Sequence, residues 1–208
     1  TFPMLLRKRV KGAHVVSVSQ HNFDRVVEIK VKKDKYYTIV VELFDKGNII
    51  LLDEDNNIIL PLKRKHWSTR DISSKKEYVF PEDRGINPIN VSEEEFKEIF
   101  IEKDSDVVRT LAVNGFGSLY AEEIIERANE NTEIDKNTLN KDLTQEQFSA
   151  LYNSLKELFD ILKNEEYKPQ IVKDGRKEDV LPLDLVKYDG FEKKYYENFN
   201  EACDEFYS

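Results

Sequence analysis

Cysteine is almost absent: Cys203 stands alone in 208 residues, so no intrachain disulfide can form. Histidine is nearly as scarce. His14, His21 and His66 are not at ligand spacing, which together with the single cysteine excludes a zinc ribbon or finger. No apolar run approaches the roughly 20 residues that span a bilayer. With 39% apolar and 35% charged residues, the chain reads as soluble, globular and without a membrane partner. Nothing after Thr1 has the basic and apolar regions of a secretory leader, so the expected location is a reducing, cytoplasmic one. Without an initiator methionine, the sequence reads as a fragment. Catalytic signatures are missing as well. There is no Gly-Lys-Ser/Thr phosphate loop and no dinucleotide fingerprint, and Ser17 and Ser19 beside His21 lack the orienting acid and oxyanion loop of a triad. The expectation is a binding module, with no metal, no cofactor and no catalytic residues.

Negative charge dominates, with a net of −9, but it is unevenly spread. Residues 1–85 carry 17 Lys and Arg against 12 Asp and Glu, a net of +5, and residues 86–208 carry a net of −14. A basic front half points to a nucleic-acid-facing part, or simply to two solvated surfaces that differ.

The patterning is that of an α+β protein. Residues 1–11 form a short basic helix with Pro3 in its first turn. β-branched runs at 15–18, 25–31, 36–43, 48–52 and 58–62, separated by short turn-forming clusters, predict an antiparallel meander. Pro81, Gly85 and Pro88 mark a boundary. Ser92 with Glu95 and Thr144 with Gln147 are capping-box signatures, and with two helices near 106–113 and 119–129 they predict a four-helix unit. Two strands at 168–172 and 179–186 are expected to return to the first sheet. The repeat Phe191, Tyr195, Phe199, Ala202, Phe206 reads as either a terminal core helix or the start of a coiled coil. The expected division is 1–88, 89–166, 167–190 and 191–208.

Two local features carry chemistry. In Gly115-Phe116-Gly117-Ser118, the glycines supply the positive φ needed to pass from one helix into the next. Ser118 would cap the second helix, whose free amides and dipole favour an anion. The same turn also serves as a plain helical corner, and Glu122, Glu123 and Glu126 oppose a phosphate unless they point away. In Ser19-Gln20-His21-Asn22-Phe23-Asp24-Arg25, Arg25 suits a phosphate or ribose and Asp24 suits orienting it, provided the chain bends there. A simple polar turn is the other reading. Trp67, among Lys63, Arg64, Lys65, His66 and Arg70, reads as a base-stacking ring or as packing.

Several runs in order resemble the NFACT family, that of the RqcH and NEMF ribosome quality-control factors and of proteins labelled fibronectin-binding protein A. These are Phe2-Pro3-Met4-Leu5-Leu6-Arg7-Lys8, Gln20 to Arg25, Tyr78-Val79-Phe80-Pro81, Gly85-Ile86-Asn87-Pro88, Leu111 to Ala128, and Asn200 to Ser208. The resemblance implies a β-rich domain like the N-terminal domain of formamidopyrimidine-DNA glycosylases, lacking its opening segment, then a helix-hairpin-helix domain and the start of a coiled-coil helix. It also implies the partners: tRNA, the large ribosomal subunit with obstructed peptidyl-tRNA, and a second copy in the full-length protein. The implied activity is non-templated tailing of stalled nascent chains. By this resemblance Asp24 and Arg25 face tRNA, with His21 and Asn22 beside them; Arg7, Lys8 and Arg9 are further candidates for tRNA binding, and Gly115, Gly117 and Ser118, from their turn chemistry, for a phosphate-binding hairpin. A glycosylase-like DNA-processing enzyme and a surface adhesin are the competing functions.

Overall fold

The computed structural model describes residues 1–83, 85–175 and 177–208, which form two units, Thr1–Asp83 and Arg84–Ser208. The first is built on a five-stranded antiparallel meander: β1 (His14–Gln20), β2 (Val26–Lys32), β3 (Tyr36–Glu42), β4 (Asn48–Leu52) and β5 (Ile58–Pro61), in that spatial order. Both faces of the central strands are apolar, so both need a cover. On one face Val31, Tyr37 and Leu51 pack with Phe2, Leu5, Leu6 and Val10 of α1 (Phe2–Val10). On the other, Val26, Val40, Ile50, Leu52 and Ile58 pack with Ile72 and Tyr78, supported by Phe44 and Phe80. A bulge between Leu51 and Leu52 sets Leu60 opposite Leu51, and so lets β5 serve both faces. Strand β1 is an exposed edge, with Val15, Val16 and Val18 each more than half accessible.

The second face also buries charge. Glu42 Oε1 accepts from Arg70 Nη2 at 2.5 Å and from the Tyr78 hydroxyl at 3.0 Å, while Arg70 Nε donates to the Val79 carbonyl at 2.8 Å. Glu42 is 1% and Arg70 8% exposed. Burial first, and the Glu42 charge second, raise the Tyr78 phenol well above its ordinary range, so it remains a donor. Arg70 closes the short hairpin of β6 (Lys65–His66) and β7 (Asp71–Ile72).

In the second unit the four expected helices are α2 (Glu93–Glu98), α3 (Val107–Leu111), α4 (Gly117–Ala128) and α5 (Gln145–Lys163). Both expected capping boxes form, at Ser92 with Glu95 and at Thr144 with Gln147. Leu151, Leu155 and Leu158, one stripe of α5, are buried with Ile124 of α4, and Phe96, Phe100, Phe148 and Tyr152 form an aromatic cluster. Gly85, at φ 87°, lies against the Asn114 backbone, and the next amide, Ile86 N–H, donates to the Asn114 carbonyl.

Two expectations about the end of the chain are corrected. Strands β8 (Gln170–Asp174) and β9 (Lys177–Leu181) do not return to the first sheet but form a separate sheet with β10 (Glu192–Tyr195), in the order β10-β8-β9. Strands β8 and β9 pair with each other from Gln170 and Leu181 to Asp174 and Lys177, and β10 takes the free edge of β8. Phe191 and Tyr195 therefore do not belong to a helix. Helix α6 (Phe199–Tyr207) begins only after Asn198, which caps it through Glu201 N–H, and packs on β8 and β9 with Ala202 fully buried. Asp184 ties this sheet together, accepting from Gln170 Nε2, Lys193 Nζ, the Tyr195 hydroxyl and Lys168 Nζ at 2.9 to 3.2 Å.

Two outcomes follow from these contacts. A Cβ at Gly85 would overlap the Asn114 carbonyl at a φ that L side chains avoid, so Gly85→Ala should lower stability by about 2 to 4 kcal/mol, read by chemical denaturation. Burial raises the Asp184 pKa, but its donors outweigh this and hold it well below the ordinary 3.8. The stabilisation from its charge is therefore complete above the unfolded value and is lost as pH falls below it. Asp184→Asn should cost about 1 to 2 kcal/mol at pH 7, with the deficit narrowing below about pH 4.

Candidate nucleic-acid interface

The segment 21–25 connects β1 to β2. Val26 O accepts from His21 N–H at 2.9 Å, and His21 O accepts from Asp24 N–H at 3.1 Å, which closes a tight loop. The bend anticipated from sequence lies at Asn22, whose φ of 48° is left-handed, a conformation that asparagine tolerates better than most residues. Strand β2 starts at Val26, so Asp24 and Arg25 precede the regular ladder. Leu43 N–H still donates to the Arg25 carbonyl at 2.8 Å.

The side chains of this loop divide into two sets. His21 stacks face to face on Phe80, with ring centroids 3.5 Å apart and planes at 6°. Asn22 Nδ2 donates to both carboxylate oxygens of Asp83, at 3.1 and 3.3 Å, and lies 3.4 Å from His21 Nε2. These two side chains are held by the 78–83 segment. Gln20 Nε2 donates to the Asp24 carbonyl at 2.8 Å, and Asp24 Oδ1 accepts from the Arg25 backbone N–H at 2.7 Å. Asp24 is thus a local brace, not a salt-bridge partner for the Arg25 side chain. Among the described residues no carboxylate pairs with the Arg25 guanidinium, which is exposed. Among the described residues the Arg25 guanidinium is thus an unpaired cation at the turn, and its planar fork of N–H donors suits a phosphate.

The other candidates lie elsewhere. Arg7, Lys8 and Arg9 occupy the last turn of α1, where their charge complements the helix dipole. The chain leaves this turn for the start of β1, while the Asp24 loop follows its far end, about 20 Å of strand away. These three cations and Arg25 are not one cluster. The Trp67 group is largely compensated internally: Lys65 pairs with Asp45, His66 with Asp71 and Arg70 with Glu42, and Lys65 and Arg70 lie over the indole at 5.3 and 5.4 Å.

In the second unit, Gly115 (φ 108°) and Gly117 (φ 66°, ψ 174°) take the backbone conformations expected of them between α3 and α4. Ser118 is not the cap: Gly117 is itself non-helical, so Ser118 sits in the first turn, exposed and making no capping bond. Two of the three carboxylates are engaged, and Glu126 is exposed. Glu122 pairs with Lys187 and Lys136, and the fully buried Glu123 pairs with Arg127 and accepts from the amides of Val186 and Lys187.

Sequence reading missed Glu42, Arg70, Phe80 and Asp83 as supports of the loop. The legible signal was Glu42, an acid at an inward position of an otherwise apolar strand, which requires a buried partner. No cluster of metal-ligating side chains occurs among the described residues, and among them no helix is long and apolar enough to cross a membrane.

An antiparallel sheet unit that presents a braced arginine, followed by a helical unit turned on two glycines, defines a mixed helix-and-sheet protein with candidate anion-holding surfaces. The sequence model of the NFACT N-terminal and middle domains matches residues 1–208, and the chain belongs to the NFACT family. It is similar to the archaeal Rqc2 homolog aRqcH of Methanocaldococcus jannaschii, 45% identical over all of this chain and 31% of that protein. It is also similar to the human ribosome quality control complex subunit NEMF, 24% identical over all of this chain and 21% of that protein. The chain therefore spans about a third or less of these curated relatives. In fold it is similar to the crystal structure of the fibrinogen binding protein from Staphylococcus aureus, with a TM-score of 0.77 and 23% identity over all of this chain and 75% of that one.

The left-handed turn supplies a direct check. Asn22→Ala should lose about 1 to 2 kcal/mol through the φ penalty and the lost Asp83 contact, whereas Asn22→Gly should lose less because only the contact goes. Thermal melting of the two variants distinguishes them.

Proposed function

We propose that this chain is the tRNA-facing portion of a cytoplasmic ribosome quality-control factor. In this reading it engages tRNA and the large ribosomal subunit with obstructed peptidyl-tRNA, and promotes non-templated C-terminal tailing of the stalled chain. The observation that carries the reading is the Arg25 guanidinium, exposed and unpaired among the described residues on a loop braced from within. The names of the relatives support the ribosomal context, and the basic front half suits a polyanion. Arg25 would contact phosphate or ribose, and Asp24 would fix the backbone from which it projects. The protein would act without a catalytic centre or cofactor, peptidyl transfer being supplied by the ribosome. A homodimer of the full-length protein belongs to the same reading.

The turn at 115–118 would act as a helix-hairpin-helix contact to the nucleic-acid backbone. Supporting this are the exposure of Gly117 and Ser118 at the start of a twelve-residue helix and the engagement of Glu122 and Glu123 elsewhere. A glycosylase-like enzyme is the competing function, and the absence of nicking on abasic DNA would set it aside.

In the full-length protein, Arg25→Ala should weaken tRNA binding about tenfold and lower the slope of log K against log salt by about 1. Asp24→Ala should act in the same direction, and the double variant should be no worse than the stronger single one. All three should melt close to wild type. Ser118→Glu should leave the helix as stable or slightly more so, yet weaken RNA or ribosome binding, because an acid favoured by the dipole opposes a phosphate. Unchanged tRNA recruitment by a folded Asp24/Arg25 double variant would sink the proposal.

A further inference from the structure

The buried Glu42–Arg70 pair lies directly behind the Arg25 loop. Glu42 stands opposite Val26, the first residue of β2, and the following amide, Leu43 N–H, holds the Arg25 carbonyl. Arg70 grips Glu42 with one nitrogen and the Val79 carbonyl with another, and the Tyr78 hydroxyl donates to the same Glu42 oxygen. These bonds fix the start of the 78–83 segment. The segment then passes the pose on: Tyr78 meets Phe80 edge to face at 5.0 Å, Phe80 stacks on His21, and Asp83 holds Asn22. The connection from the buried pair to the loop is continuous, and every link lies in the first unit.

Such a pair is a poor stabiliser. Burying two charges carries a desolvation cost that well-packed apolar residues avoid, and Glu42 Oε2 is buried with no hydrogen-bond partner among the described residues. Its contribution must then lie in selecting one arrangement of the segment it holds. Apolar contacts alone would allow the 78–83 strap to slide on the sheet, because burial is non-directional. The fork of Arg70 bonds only where the Val79 carbonyl and Glu42 both meet it.

We infer that Glu42 and Arg70 are positioning residues for the Asp24–Arg25 loop, acting through the 78–83 strap to fix the direction in which the Arg25 guanidinium projects. The inference rests on the reading of Arg25 as the contact to RNA phosphate or ribose. It extends that reading by assigning the loop's geometry to a buried ion pair that touches no ligand.

The test uses full-length protein with tRNA as the probe, and three variants. The double variant Glu42→Leu with Arg70→Met removes both charges and leaves neither unpaired. Phe80→Leu breaks the His21 stack without touching the ion pair. Arg25→Ala reports on the underlying reading. Melting temperature, tRNA affinity and the NMR shifts of the His21 ring and of the Asp24 and Arg25 amides are measured for each. The double variant should melt near wild type, shift those resonances and lose about fivefold or more in tRNA affinity. Phe80→Leu should do the same. If the double variant fails to fold, Phe80→Leu decides by the same criteria. If the folded variants bind tRNA within about twofold of wild type while Arg25→Ala does not, the positioning role is overturned and the Arg25 reading stands. If Arg25→Ala itself binds like wild type, that reading fails and the positioning role falls with it.

Discussion

The sheet of the first unit is apolar on both faces, and that constraint shapes nearly everything around it. Tyr37 and Leu51 look one way while Val40, Ile50 and Leu52 look the other, so neither side can be left to water. One cover is α1, which docks its aliphatic stripe and leaves Arg7 and Lys8 in solvent. The other, within the first unit and among its described residues, uses no helix. It is assembled from the β6–β7 hairpin and the 72–80 segment, whose apolar side chains are few, and a buried polar knot supplies the direction that they lack. Covering the second face thus brings Phe80 and Asp83 to the β1–β2 loop.

The consequence at the loop is a division of labour. His21 and Asn22, adjacent to Asp24 and Arg25 in sequence and similar in polarity, are held by the strap, His21 half-buried on Phe80 and Asn22 at the surface on Asp83. Asp24 turns back on its own backbone, and the exposed Arg25 guanidinium has no carboxylate partner among the described residues. A surface built this way presents a cation whose backbone is fixed, which suits recognition of an anion by placement more than by charge density.

The helical unit reaches order by a different route. Its connections are secured by backbone groups against side chains that are themselves buried: Glu123 receives two amides from 186–187, and Asn140 donates to the Glu102 carbonyl and to Thr110. The α3–α4 turn is held from outside by Gly85 and Ile86. Glu122 and Glu123 on α4 are therefore occupied in holding the unit together, and the overall −9 charge says little about the character of that turn.

Local patterning determined a great deal. The basic first helix, the five strands of the meander, the four helices, both capping boxes and the positive φ of Gly115 and Gly117 all follow from period, propensity and turn chemistry, which act over a few residues. What only the tertiary structure decided were matters of partner. Strands β8 and β9 carry no mark telling which sheet they join, because a ladder bonds any complementary edge; proximity gave them β10. Helical spacing at Phe191 and Tyr195 was equally compatible with a strand, and Tyr195 pairs with Gln170 of β8 while Phe191 just precedes β10. His21, Asn22, Asp24 and Arg25 read as one polar cluster. Their separation into strap-held and unpartnered side chains depends on Phe80, Asp83 and the Glu42–Arg70 pair, residues 17 to 61 positions away; the sequence marks Glu42 as needing a buried partner but does not say which residue supplies it.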